Sequence, residues 1–283
     1  MAGLNVSSPA PALPWRAELD LEFALRGART RLTAQRHCGP LLVQRPFHPE
    51  AGDVCHAYLI HPPAGIVGGD ELNLAVTVQA GAQVLLTTPS ATRFYRSTAL
   101  VSQLAQQFMV ADDATLEWLP QENLLFDAAR ARITTTVRLA PRARFIGWEI
   151  LCLGRPACAE GFEHGTVDQR IALYRDGLPL LLERLRPPAG GALQSGGAGL
   201  RGHAACATLF ATGADATHLD DARATLATLM QGLASATLLD DLLVCRLLAP
   251  HAAPLRTVCE KLWAALRPAL LARDAHAPRI WST

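Results

Sequence analysis

The chain has 283 residues, half of them hydrophobic and 18% charged, which is the composition of a globular protein with a large core and excludes a disordered one. A net charge of +1 excludes the electrostatic footprint of a nucleic-acid or lipid-surface binder, and no apolar run reaches the roughly 20 residues of a membrane span. Among 26 basic residues only Lys261 is a lysine, which removes both P-loop phosphate binding and Schiff-base chemistry.

Residues 1–14 are rich in Pro, Ser and Ala and read as a disordered tail with no signal-peptide pattern. A β-rich body is expected over 15–186. Ala17–Arg26 alternates strictly, with Leu19, Leu21, Phe23 and Leu25 on one face and Glu18, Asp20 and Glu22 on the other. Strands are also predicted at Val54–His61, Leu72–Val78, Ala82–Thr88, Leu100–Val110, Thr115–Leu119, Arg132–Leu139, Phe145–Leu153, Val167–Tyr174 and Leu178–Leu185. Between the first two of these lies His61-Pro-Pro-Ala-Gly-Ile-Val-Gly-Gly-Asp70, a Pro/Gly turn that ends in a carboxylate.

Ala82, Ala114 and Ala143 open similar short segments, 32 and then 29 residues apart. A period near 30 is what the rungs of a wound β-structure produce, although short strands also resemble one another by chance. Residues 187–204 read as a flexible Gly-rich loop. From 205 to 283 an α+β part follows, packed on the body, with helices at Thr217–Leu233 and Leu255–Arg267 around a strand at Leu242–Leu248. Pro268 is expected to end or kink the second helix. The fold class is therefore mainly β, with strands in a helical, solenoid-like arrangement and a small C-terminal α+β part containing two helices.

Metal templates are missing: there is no CxxC, no HExxH and no zinc-finger quartet, and His56 and His61 point to opposite faces of a strand. No nucleophile elbow is present, and Gly65–Gly69 is followed by a strand instead of the helix a dinucleotide site needs. Seven cysteines at irregular spacing argue for a reducing compartment, so the expected location is cytoplasmic. More telling are Glu149 and Glu183, each set inside an apolar strand. A carboxylate in such a place takes up a proton, pairs with an arginine, faces a water-filled space or meets a visiting cation.

Ordered blocks along the chain, Gly39-Pro-Leu-Leu-Val-Gln-Arg-Pro-Phe-His-Pro-Glu50, Cys55-His56, the His61–Asp70 turn, Leu86-Thr-Thr-Pro89, Leu116-Glu-Trp-Leu-Pro-Gln-Glu122, Trp148-Glu149, Cys152-Leu-Gly-Arg-Pro156, Leu182-Glu-Arg-Leu185 and Pro278-Arg-Ile-Trp281, resemble the UreD (UreH) family of urease accessory proteins. The resemblance implies a non-enzymatic nickel chaperone or scaffold of β-wound fold. It binds apo-urease with the helical protein UreF and the GTPase UreG, in a hetero-oligomer built as a dimer of UreD–UreF pairs. It further implies that Ni²⁺ passes in transit, with no permanent cofactor, along a route of Glu50, Asp70, Glu149 and Glu183, with Thr87, Thr88 and Cys152 as further lining. The family commonly has Tyr where His48 stands and Gly where Ala64 and Ala159 stand. Oxygen ligands suit transit, because nickel held by nitrogen and sulfur sits high in the Irving–Williams order and would be trapped. In the rival readings the protein is an assembly platform whose acids pair with arginines such as Arg45, Arg93 or Arg155, or a metal-dependent hydrolase.

Overall fold

The computed structural model describes residues 14–50 and 52–282. Of the expected tail, residues 1–13 lie outside the described residues. The strands are β1 (Arg16–Arg26), β2 (Arg29–Cys38), β3 (Leu42–Val43), β4 (Cys55–Ile60), β5 (Gly65–Ile66), β6 (Glu71–Val78), β7 (Gln83–Thr87), β8 (Thr92–Phe94) and β9 (Ser102–Val110). They continue as β10 (Thr115–Trp118), β11 (Asn123–Leu125), β12 (Arg130–Leu139), β13 (Arg144–Leu153), β14 (Thr166–Arg175), β15 (Leu178–Leu185), β16 (Ala205–Thr212), β17 (Leu233–Leu239) and β18 (Leu242–Ala249). The helices are α1 (Ala192–Ser195), α2 (Ala216–Leu226) and α3 (Ala252–Leu271).

The body is a three-walled parallel coil. One wall stacks β4, β7, β10 and β13, a second stacks β6, β9, β12 and β14, and a narrow third stacks β5, β8 and β11. Gln83, Thr115 and Arg144 stand in register across the first wall, so the alanines that precede them are equivalent points on successive turns. All three are buried, as a rung position that meets its neighbours above and below must be. The seven-stranded sheet runs β15-β14-β12-β9-β6-β1-β2 and the larger sheet carries β16, β18 and β17 beyond β13.

Period-two alternation gives each long strand of the larger sheet two inner faces. Phe145, Leu151 and Leu153 of β13 enter the core inside the coil, while Ile146, Trp148 and Ile150 enter a second core under α2 and α3. Glu149 shares the parity of the first set and faces the coil interior. Glu117 of β10 stands in register with Ile146 and faces α3. No helix among the described residues is long and apolar enough to cross a membrane.

Several boundaries depart from expectation. Leu25 is exposed and Ala24 buried, past the last β1–β6 pair at Phe23. The helix expected over Thr217–Leu233 stops at Leu226 and Leu233 opens β17. The strand must pass close to β18 there: a Cβ on Gly232 would lie 2.1 Å from the Leu248 carbonyl oxygen. Pro268 sits inside α3, which runs one turn past it to Leu271. Ala64 and Ala159, the two positions where the resembled family has Gly, have φ of +59° and +55°, in the left-handed region that glycine occupies at least cost.

Candidate functional site

Glu149 is 4% exposed and has no cationic partner among the described residues. Four neutral donors hold it: Thr135 Oγ1 at 2.8 Å, Gln106 Nε2 at 3.3 Å, Asn123 Nδ2 at 3.3 Å and Trp118 Nε1 at 3.4 Å. They come from β12, β9, β11 and β10, so all three walls converge on one carboxylate. Burial pushes its pKa above the ordinary value, and the hydrogen bonds from Thr135, Trp118 and Gln106 offset this only in part.

Glu149 lines two sizeable cavities. The larger, about 490 Å³, lies toward the open end of the coil and is also lined by Glu183, Cys206 and Arg246. The smaller, about 250 Å³, is lined by His61, Thr88, Gln106, Gln121 and Asn123. Burial lowers the His61 pKa, with Asp70 opposing, so its imidazole is biased toward the neutral form. The Cys206 thiol is pushed up to about 12 by burial first and then by Cys152 and Glu183, which keeps it protonated and a poor metal ligand at neutral pH.

Glu183 is less enclosed than its apolar neighbours suggest. β15 is the edge strand of its sheet, the side chain is 26% exposed, and Arg246 Nε donates to Oε1 at 2.7 Å. Arg184, on the opposite face, pairs with Asp168.

The remaining predicted residues lie off these cavities. Glu50 accepts bidentate hydrogen bonds from Arg267, at 2.8 and 2.9 Å, and meets His56 Nε2 at 2.6 Å. Burial pushes the Glu50 carboxyl up, but the bonds from His56 and Arg267 outweigh it and hold the pKa down at about 2. Asp70, nearly buried, accepts the backbone N–H of Trp15 at 2.9 Å and of Val67 at 3.0 Å, closing the Pro/Gly turn and anchoring the start of β1. Thr87 Oγ1 donates to the Leu119 carbonyl and accepts from Trp281 Nε1. Cys152 belongs to the core beneath the helices, where burial and then Glu122 push its thiol up to about 11.

Glu149 thus shares a cavity wall with Glu183 on one side and Thr88 on the other, whereas Glu50, Asp70, Thr87 and Cys152 are tied into structure. Glu117 and Arg267 were not among the sequence candidates. Arg267 is fully buried and pairs with Glu117 at 2.9 Å as well as with Glu50, and Trp263 Nε1 donates to Glu117 at 2.6 Å. The signal for Glu117 was present, since Leu-Glu-Trp-Leu repeats the apolar setting of Glu149. The arginines named as candidate partners are not the ones used: Arg267 and Arg246 serve, while Arg155 holds Glu160. No group of three or more His, Cys, Asp or Glu side chains among the described residues is arranged to hold a metal ion.

Residues 16–282 match the family described as UreD urease accessory protein. The chain is similar to the urease accessory protein UreD of Citrobacter koseri, 45% identical over 95% of this chain and 92% of the relative. It is 47% identical to that of Pseudomonas entomophila over 99% and 98% of the two chains. Against the corresponding protein of Alkalilimnicola ehrlichii identity is 45%, over 98% and 94%.

Proposed function

Since the chain belongs to the UreD urease accessory protein family, and so serves urease maturation as a non-catalytic factor, we propose that it is a cytoplasmic scaffold that binds apo-urease with UreF and UreG and passes Ni²⁺ toward the urease active site. The observation that carries this reading is Glu149, a buried carboxylate without a counter-cation on the wall of two cavities. An incoming divalent cation displaces the proton that burial favours there, and a proton returns when the ion leaves, so the carboxylate never stands as a bare anion in the interior. The neutral donors occupy part of the carboxylate's lone-pair capacity, which weakens its grip on the ion. His61 at the smaller cavity and Glu183 at the larger supply a ligand on either side. Protonated Cys206 does not compete.

The test is urease matured with Glu149→Gln in place of the wild-type chain. Complex formation is expected to persist while nickel per urease active site falls severalfold. Full nickel content in an intact complex overturns the transit reading.

A second reading, an assembly platform through which no nickel passes, draws on the other acids. Glu50 and Glu183 are paired with arginines and Asp70 holds backbone amides. It predicts that no isosteric change at Glu50, Asp70, Glu149 or Glu183 alters nickel content unless it also weakens the fold.

A further inference from the structure

The seven-stranded sheet ends in two very different edges. β2 carries Arg29, Arg31, Arg36 and His37 exposed along its length, the charged protection that keeps a free edge from pairing with other chains. β15 begins Leu178-Pro-Leu-Leu-Leu182 with no charge in five residues. Leu178 and Leu182 are 71% and 64% exposed, and no strand among the described residues pairs on the outer side of β15. Pro179 removes one donor near the hairpin tip and leaves the rest of the edge open. A long apolar edge of this kind is an aggregation hazard unless something covers it.

Charge indicates what covers it. Beside the leucines, Asp168 is shared by Arg170 and Arg184, so one carboxylate faces two guanidiniums. Arg186, next along the chain, and Arg201, across the cavity mouth from Arg184, are exposed and make no ion pair among the described residues. The edge is therefore apolar at its start and net positive at its end.

We propose that the free edge of β15 is a docking surface for a partner protein, which adds an element that is apolar at its centre and acidic where it meets Arg184, Arg186 and Arg201. The same strand contributes Glu183 and Leu185 to the larger cavity, so the docked element also covers that cavity's mouth. The surface itself follows from the edge; only the choice of partners to assay rests on the function proposed above.

The test uses the tagged full chain co-expressed with urease and the accessory proteins, with the purified complex weighed and its components quantified. Two variants are compared, Leu178→Asp/Leu182→Asp and Arg186→Glu/Arg201→Glu, with Met109→Asp as a control on exposed β9, three strands away. Both are expected to keep the wild-type melting temperature and lose about tenfold or more of one co-purified partner, as at an interface centre. The control is expected to lose none. Retention of every partner by both variants overturns the docking surface and leaves the proposed function standing. A wild-type chain that co-purifies with nothing overturns both. A wild-type homodimer dispersed by the leucine variant assigns the edge to a second copy and overturns the partner.

Discussion

Arg267 and Glu50 lie 217 positions apart and meet in a bidentate ion pair, with Arg267 wholly shielded from solvent. Glu117 completes the pairing from β10, so a single guanidinium ties α3 to a carboxylate of the first wall and to one in the segment that leads into it. Removing it strands both. Arg267→Ala is expected to cost about 3–5 kcal/mol, the range for breaking a buried pair from one side. Urea denaturation checks this; a loss under 1 kcal/mol would assign the knot no more than a surface pair's worth.

Acid should undo the same knot. Glu50 is held at about 2 against an ordinary 4.5. Its contribution to stability is complete above 4.5 and is lost as pH falls toward 2. Glu50→Gln should therefore flatten the pH dependence of the melting temperature across that window, read by calorimetry at half-unit steps.

Glu149 has the opposite sign. With a folded pKa raised by burial, it costs nothing while both folded and unfolded chains hold the proton, and its cost grows as pH rises above the ordinary carboxyl value of 4.5 until the folded group also ionises. Glu149→Gln is thus expected to stabilise the fold at neutral pH, by about 2–4 °C per kcal/mol relieved, and to do nothing at acid pH. Equal melting temperatures at neutral pH would show the carboxylate to be already compensated.

Asp70→Asn tests whether that residue is more than structural. Its two oxygens serve two backbone N–H groups, and an amide offers only one acceptor. A loss of about 1–3 kcal/mol follows from the orphaned donor, with faster hydrogen exchange at the start of β1. A nickel defect in this variant counts toward a route only if exchange at Trp15 and Val67 stays at the wild-type rate.

Ala64→Gly and Ala159→Gly should each stabilise the chain, because a left-handed φ at a residue with a Cβ costs about 1 kcal/mol. The two sites are independent, so the double variant is expected to add. Thermal denaturation of the three variants decides it.

How far the sequence revealed the molecule depended on whether the cause was local. The spacing of Ala82, Ala114 and Ala143 marked the rungs because each turn repeats one short local pattern. The depth of Glu149 was legible because β13 is buried on both faces. For Glu183 the same reasoning placed the side chain too deep, since nothing in Leu-Pro-Leu-Leu-Leu says that the strand is last in its sheet. β2 went unseen because both its faces are wet and no alternation marks it. In α2 the stripe continued through Leu229, Met230 and Leu233 after the helix had ended, as the close approach of Gly232 to β18 decided the boundary. Arg267 could not be assigned to Glu117 and Glu50 in advance, because their proximity is a product of the coil.

The separation of Glu50 from Arg267 also sets a schedule for synthesis. At about 5–20 residues per second, roughly 10–40 s pass between translation of the carboxylate and of the arginine that neutralises it. Late in that interval the coil's strands have been made while the wall under α3 is uncovered, with Trp148 and the apolar side chains around it facing water. The last thirty or so residues therefore act as a lid fitted after the box is built, and a nascent chain stalled before α3 would expose the second core to every hydrophobic surface in the cell.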